Sequence, residues 1–201
     1  MAHPINQLIE LLSKMPGIGP RQARRIAQFL LRAPVAYRKK VIEGIERIAE
    51  RVSQCALCYR FDEVDAGAHC SLCASAERDE SLLAVVEKDV DVESIEQAGI
   101  YKGRYFVLGG LIPLARQRKG ASSPRVDLLK SRMNKDKKIQ EVVLAFAITP
   151  EGDYTAREII HTLRETFPHT AVSMLGRGLS LGAEIEYADQ ETLRNAFTGR
   201  H

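Results

Sequence analysis

The chain has 201 residues, of which 45% are hydrophobic and 27% charged, proportions typical of a globular protein with a buried core. The formal net charge of +3 permits a nucleic-acid partner without indicating one. The longest apolar run, residues 142–148, is far shorter than the ~20 residues of a membrane-spanning helix. We therefore expect no membrane association. With no basic segment before an apolar stretch at the N-terminus, we expect a cytoplasmic protein.

Residues 1–54 carry three helical patterns, in which apolar residues recur three and four positions apart. The three sets are Ile5, Leu8, Leu11 and Leu12; Ala23, Ile26, Ala27, Leu30 and Leu31; and Val41, Ile45, Ile48, Ala49 and Val52. Each set forms one apolar stripe. We predict an all-α region whose short helices bury these stripes against each other or against a partner.

A glycine-containing turn, Pro16-Gly17-Ile18-Gly19-Pro20, joins the first two patterns. Glycine permits a tight turn, and proline suits the first position of the following helix. The free N–H groups of that helix can hold a phosphate, and Arg21 and Arg25 lie one turn apart on the same face. The arrangement resembles the helix-hairpin-helix motif and predicts that Gly17, Gly19, Arg21 and Arg25 contact the DNA backbone. The alternative is a plain helical hairpin.

All four cysteines lie in residues 55–73, as the pairs Cys55/Cys58 and Cys70/Cys73 with eleven residues between them. Two CxxC pairs supply the four sulfur ligands of a closed tetrahedral zinc site, so the zinc is expected to be structural. One zinc ion per chain is predicted; redox-active or disulfide-bonded cysteines are the alternatives. His69 is a possible substitute ligand, or else a solvated loop histidine.

Residues 80–174 show short β-favouring runs separated by helical patterns. The predicted strands are Leu82–Val86, Tyr105–Leu108, Val142–Phe146 and Ala171–Met174, and a helical pattern covers residues 152–166. Strands that alternate with helices predict a mostly parallel sheet with both faces covered. In the tail, residues 175–201, Asp189 is suited to be the N-cap of a final helix.

A basic stretch between residues 116 and 138 has a local excess of positive charge that the small net charge of the whole chain does not reveal. Its basic residues are Arg116, Arg118, Lys119, Arg125, Lys130, Arg132, Lys135, Lys137 and Lys138, opposed by Asp127 and Asp136. Such a segment attracts a DNA backbone if it faces one. A solvated loop and helix face explains it equally well.

The order of these features resembles the RecR family of recombination mediators over nearly the whole chain. The similar segments are Leu11–Leu31 (the hairpin), Cys55–Cys73 (the zinc finger), Val85–Glu87 (the first strand and acidic residue of a Toprim domain), Val107–Gly110, Glu151–Ala156, Leu175–Gly178, Glu186–Asp189 and Thr192–Leu193. The resemblance implies an α/β fold with an N-terminal all-α helix-hairpin-helix region, a four-cysteine zinc finger and a Toprim-like, mostly parallel sheet domain. It also implies that the tail takes part in oligomerisation.

Members of that family form ring-like oligomers, commonly tetramers. The resemblance implies that this chain acts with RecO, and in some settings RecF, to help RecA load onto single-stranded or gapped DNA coated by single-strand-binding protein. This role is recombinational repair without catalysis. A scaffold that binds such partners and touches DNA only weakly is a second interpretation.

Toprim enzymes bind Mg²⁺ through a glutamate and a nearby acidic pair, and Glu87, Glu151 and Asp153 stand at comparable places in this sequence. Such carboxylates can hold a hard cation. An Mg²⁺-dependent nuclease or primase would also need an activated nucleophile, which the sequence does not identify. We therefore expect these three residues to be vestigial or structural, with the enzyme as the alternative.

Overall fold

The computed structural model describes residues 3–64, 68–114, 124–176, 178–179 and 182–199. The chain divides into two compact units, residues 1–52 and 53–201. Among the described residues, no helix is both long enough and apolar enough to cross a membrane.

The first unit is helical, as predicted. Its helices are α1 (Pro4–Ser13), α2 (Pro20–Arg32) and α3 (Val35–Arg51). α1 and α2 pack around Leu12, Ala23 and Ala27, where the two alanines allow the helices to approach closely. α3 contributes no buried residue: Ile45 and Ile48 remain 62% and 63% exposed. The third stripe is therefore largely exposed in the single chain, although Tyr37 of α3 contacts Phe29 of α2 edge-on.

The second unit is α/β. Its elements are β1 (Val52–Gln54), β2 (Phe61–Glu63), α4 (Ser71–Ala74), β3 (Asp79–Val86), α5 (Asp89–Ala98), β4 (Gly103–Val107), α6 (Val126–Lys135), β5 (Glu141–Ala145), α7 (Pro150–Thr166), β6 (Ala171–Met174), a 3-10 turn (Ile185–Tyr187) and α8 (Gln190–Thr198). All four predicted strands of the main sheet are present. The α/β fold class is confirmed.

The main sheet has the strand order β4-β3-β5-β6, and each neighbouring pair is parallel. Val85 lies opposite Phe106 on one side and Leu144 on the other, in the centre of the ladder. A parallel sheet is normally covered on both faces, and alternate residues of β3 show that both faces of this sheet are buried. Leu83 and Val85 pack in one core with residues of α6 and α7, whereas Ala84 and Val86 pack in a second core with residues of α5.

Side chains cap the helices α7 and α8. The Thr149 hydroxyl oxygen accepts a 3.1 Å hydrogen bond from the N–H of Gly152, at the start of α7. Asp189 accepts a 2.9 Å hydrogen bond from the N–H of Thr192, so it caps α8 as its position in the sequence predicts.

Candidate metal centre and nucleic-acid interface

The four cysteines form one buried cluster. Each side chain is at most 4% exposed, and the four sulfur atoms lie within 4.8 Å of one another. The Sγ atoms of Cys58 and Cys70 are 3.5 Å apart. A tetrahedral site with Zn–S bonds of about 2.3 Å places its sulfurs about 3.8 Å apart, so the cluster has the dimensions of such a site.

Two tight turns bring the sulfur atoms together. The N–H of Tyr59 donates to the carbonyl of Cys55 (3.0 Å), and Tyr59 has a left-handed φ of 61°, which closes the first CxxC turn. In the second turn the N–H of Cys73 donates to the carbonyl of Cys70 (3.0 Å). The N–H of Cys70 also points at the sulfur of Cys55, 3.4 Å away. Such N–H groups stabilise thiolate charge.

The chemistry of the cluster suits a cation that binds thiolates. The hydrogen bond with Cys58 lowers the pKa of the Cys70 thiol, and the same contact raises the pKa of Cys58. Without an ion, therefore, the cluster favours an unequal sharing of protons. A divalent metal ion held by the four sulfurs would take the place of those protons and offset part of the thiolate charge. His69 is exposed and is not part of the group.

The turn at the second helix lies open to solvent. Gly17 has a left-handed φ of 75°, and a Cβ at either Gly17 or Gly19 would meet no other atom within 4 Å. Gly19 is the N-cap of α2 but has no side chain to accept from the helix N–H groups. Pro20 occupies the first turn and carries no N–H. Among the described residues, therefore, no side chain caps the N–H groups at the start of α2.

A basic groove runs along α2. Arg21 and Arg25 are exposed and line it, as their spacing predicts. Arg24 and Arg32, which we did not single out from the sequence, line the same groove. Their spacing of three and seven positions from Arg21 and Arg25 is the signal that identifies them, because residues so spaced share a helix face.

Several residues of the basic stretch make contacts within the protein, although the composition of the stretch alone indicates a charged surface. Arg116, Arg118 and Lys119 lie outside the described residues, as does Arg177 of the C-terminal motif. Arg125 donates to the carbonyl of Val107 (3.0 Å) and stacks over the ring of Tyr59. Arg132 is buried, Lys130 pairs with Asp127 at 2.6 Å, and Lys138 pairs with Glu80. Lys135 and Lys137 are exposed.

The three acidic residues are not assembled into a metal site. Glu87 directly follows β3 and pairs with Lys88 at 3.0 Å, whereas Glu151 and Asp153 lie in the first turn of α7. Within the described ranges, the cysteine cluster is the only group of three or more potential metal ligands in mutual reach. Carboxylates at a helix N-terminus are also stabilised by the helix dipole, which accounts for the α7 pair without a cation.

Three family descriptions match consecutive parts of the chain. Residues 5–48 match "RecR, helix-hairpin-helix", residues 81–175 match "Toprim domain", and residues 178–201 match "RecR, C-terminal". The first match lies in the first structural unit, and the other two lie in the second.

Curated relatives align along almost the entire chain. The Recombination protein RecR of Dehalococcoides mccartyi is 37% identical over 201 residues, covering 99% of this chain and 94% of the relative. That of Paenarthrobacter aurescens is 36% identical, with coverage of 98% and 95%. That of Bifidobacterium adolescentis is 38% identical, with coverage of 98% and 94%.

Proposed function

Because the chain belongs to the RecR family of recombination proteins, we propose that it binds the DNA backbone as a zinc-containing mediator of recombinational repair. The observation that supports DNA binding best is the open helix N-terminus at Gly19, flanked by Arg21 and Arg25. Uncapped N–H groups, a helix dipole and two guanidinium groups suit a phosphate of any sequence.

The metal of the cysteine cluster is, in this proposal, a single structural zinc ion bound by Cys55, Cys58, Cys70 and Cys73. Four sulfur ligands leave no open position, so the ion would stabilise the fold and activate no water. Thiolates of this kind stay reduced in the cytoplasm, where we place the protein.

The test of DNA binding is a double substitution, Arg21→Ala with Arg25→Ala, measured by fluorescence anisotropy on single-stranded and gapped DNA over a range of salt concentrations. Loss of two phosphate contacts should weaken binding and reduce the slope of log K against log salt by about 1.4 on single strands. The matched control removes two exposed arginines from α7, Arg157→Ala with Arg164→Ala. Equal effects of both double variants would contradict the assignment.

We propose that this binding is not accompanied by catalysis. Glu87 is engaged with Lys88, and Glu151 and Asp153 lie at a helix start, so a role in folding or docking accounts for all three. Mg²⁺-dependent cleavage or synthesis on single-stranded DNA that disappears in Glu87→Gln would contradict this.

Assembly into a ring, with four subunits as the expected number, completes the proposal. The exposed apolar stripe of α3 supports it, because Ile42, Ile45 and Ile48 are left without cover in the single chain. RecO-like and RecF-like proteins are the proposed partners, and loading of RecA onto DNA coated by single-strand-binding protein is the proposed outcome. Light scattering gives the subunit number. Weak DNA binding alone but strong binding with a RecO-like protein would favour the scaffold role.

A further inference from the structure

An exposed aromatic side chain lies in the basic groove of α2. The groove has a volume of about 530 Å³, and Phe29 lines it together with Gln28 and the four arginines of the helix. Phe29 is 58% exposed, whereas Ala23 and Ala27 of the same helix are fully buried. The phenyl ring therefore lies on the groove side of α2, outside the contact between α1 and α2.

The charge around Phe29 distinguishes it from an ordinary surface residue. A single exposed phenylalanine is common in globular proteins and by itself indicates no ligand. Arg25 precedes Phe29 by four positions and Arg32 follows it by three, so both share its side of the helix. α2 contains four arginines and no acidic residue. Among the described residues, both ion pairs of the first unit lie outside α2, so the charge of the groove is not neutralised.

Tyr37, near the start of α3, supports the ring of Phe29 from one side. The ring centroids are 5.7 Å apart and the ring planes meet at 84°, which is the edge-to-face geometry that aromatic pairs prefer. Such a contact covers at most one face of Phe29. Because more than half of its surface is exposed, the ring retains a face that a ligand can reach.

Single-stranded nucleic acid has the two chemical properties that this groove matches. Its phosphates pair with guanidinium groups, and its unpaired bases stack on aromatic rings. Eight positions separate Arg21 from Phe29, about 12 Å along the helix axis, so a strand of a few nucleotides spans both side chains. The bases of a duplex are paired and stacked on each other, so they do not offer a face to the ring.

The same charge disfavours a second copy of this chain as the occupant of the groove. In a two-fold symmetric contact, the same surface of each subunit meets its counterpart. The four arginines of one α2 would then face the four arginines of the other. A polyanion removes this repulsion, whereas a copy of the groove creates it.

We propose that Phe29 stacks on an unpaired base and makes the α2 groove selective for single-stranded over duplex DNA. The inference rests on the proposed DNA-binding function and deepens it. The arginines bind any phosphate backbone, whereas an aromatic ring distinguishes an unpaired base from a paired one. Phe29 is therefore the residue that sets the preferred form of DNA.

The experiment uses three probes of equal length on the full-length, zinc-loaded protein: an oligothymidylate, its abasic analogue with the same phosphates but no bases, and a duplex. Anisotropy at constant ionic strength should show about tenfold tighter binding of the oligothymidylate than of the abasic analogue. Phe29→Leu keeps an apolar side chain but removes the ring. It should remove most of that difference and lower the ratio of single-strand to duplex affinity, with the abasic and duplex affinities unchanged.

A second variant reports stacking directly. The chain contains no tryptophan, so Phe29→Trp introduces a single indole fluorophore into the groove. This variant should retain the preference for the oligothymidylate over the abasic analogue. Its fluorescence should be quenched by the oligothymidylate and much less by the abasic analogue at equal saturation, because only a base can stack on the indole.

Phe61 provides the matched control. It is also 58% exposed but lies in β2, outside the groove. Phe61→Leu should leave all three affinities unchanged, and the fluorescence of Phe61→Trp should not respond to the bases. Tm and light scattering of each variant show that its fold and subunit number are those of the unmodified protein.

Four results would overturn the inference. The first is equal affinity of the unmodified protein for the oligothymidylate and the abasic analogue, and the second is the same loss for all three probes in Phe29→Leu. The third is an equal loss in Phe61→Leu. The fourth is unchanged DNA binding in Phe29→Leu together with an altered subunit number or lost binding of a RecO-like protein, which would assign the ring to a protein contact. Failure of the DNA-binding proposal looks different, because none of the three probes would then bind.

Discussion

The main-chain N–H of Val107 donates a 2.7 Å hydrogen bond to the carbonyl oxygen of Cys58. Val107 is the last residue of β4, and Cys58 closes the first CxxC turn. Arg132 adds a second connection, because its Nη1 atom bonds both to Leu57 in that turn and to Tyr105 in β4. The cysteine cluster is therefore tied to the edge of the main sheet, and its integrity affects more than its own loop.

From this connection we predict that loss of the metal destabilises the α/β unit. Cys70→Ser, or treatment with a strong chelator, should remove one zinc per chain and lower Tm on the order of 10 °C, equivalent to about 3–5 kcal/mol for a unit of this size. Elemental analysis and calorimetric melting measure the two effects.

The control for that experiment is His69→Ala. His69 is adjacent to Cys70 but exposed and outside the sulfur cluster, so zinc content and Tm should stay as in the unmodified protein. A full complement of zinc in Cys70→Ser, or its loss in His69→Ala, would show that the ligand set is wrong.

The two glycines of the hairpin should respond differently to substitution. Gly17 has a left-handed φ of 75°, so Gly17→Ala should cost about 1 kcal/mol of stability through its backbone alone. Gly19 has an ordinary extended conformation at the N-cap of α2, where serine is favourable. Gly19→Ser should leave stability unchanged or higher but weaken DNA binding, because its hydroxyl would occupy the N–H groups offered to the phosphate.

Chemical denaturation and DNA anisotropy on both glycine variants separate these effects. If Gly19→Ser binds DNA as tightly as the unmodified protein, the start of α2 is not the phosphate site. If Gly17→Ala is as stable as the unmodified protein, the turn relaxes to another conformation in solution.

The sequence predicted the α/β fold, because a strand buried on both faces is a short continuous apolar run and a helix buried on one face has apolar residues three and four positions apart. The strand Ala171–Met174 was predicted at its observed bounds. CxxC spacing likewise predicted the sulfur cluster, since the turn itself brings the two sulfurs of each pair together.

Other features depend on long-range contacts that no local pattern encodes. Counting charges could not show that Arg125 and Arg132 bind backbone carbonyls in the interior. The presence of an apolar stripe also could not show whether the single chain buries it. α1 and α3 carry similar patterns, yet Leu12 is buried and Ile45 is exposed.

An ion pair in the second unit should make stability depend on pH. The Arg78 guanidinium, with a hydrogen bond from Tyr105, holds the pKa of the Glu96 carboxyl below its usual range. Because the folded-state pKa is the lower one, the stabilisation is present above the unfolded value of roughly 4.3 and is lost as pH falls through the folded pKa. Glu96→Gln should therefore cost about 1–2 kcal/mol at pH 7, and the difference should shrink once the pH falls below the unfolded value and disappear below the folded-state pKa.

Urea denaturation of the unmodified protein and of Glu96→Gln at several pH values measures that difference, and acid release of zinc affects both proteins alike. Glu93→Gln, an exposed residue of the same helix, is the control and should differ little at any pH. A cost for Glu96→Gln that is constant down to pH 3 would mean that the Glu96 charge does not contribute.

The last prediction concerns Thr155, which joins two segments far apart in the sequence. Its buried hydroxyl donates to the carbonyl of Glu151 (2.7 Å) and accepts from the N–H of Ile112 (2.8 Å), 43 positions away. Thr155→Val keeps the shape of the side chain but leaves that N–H without an acceptor, so it should cost about 1–3 kcal/mol. Thr166, on the same helix, makes the same kind of hydrogen bond to Thr162 (2.8 Å) but is exposed. Thr166→Val is thus a matched control. Equal losses in the two variants by urea denaturation would mean that the contact with Ile112 contributes nothing.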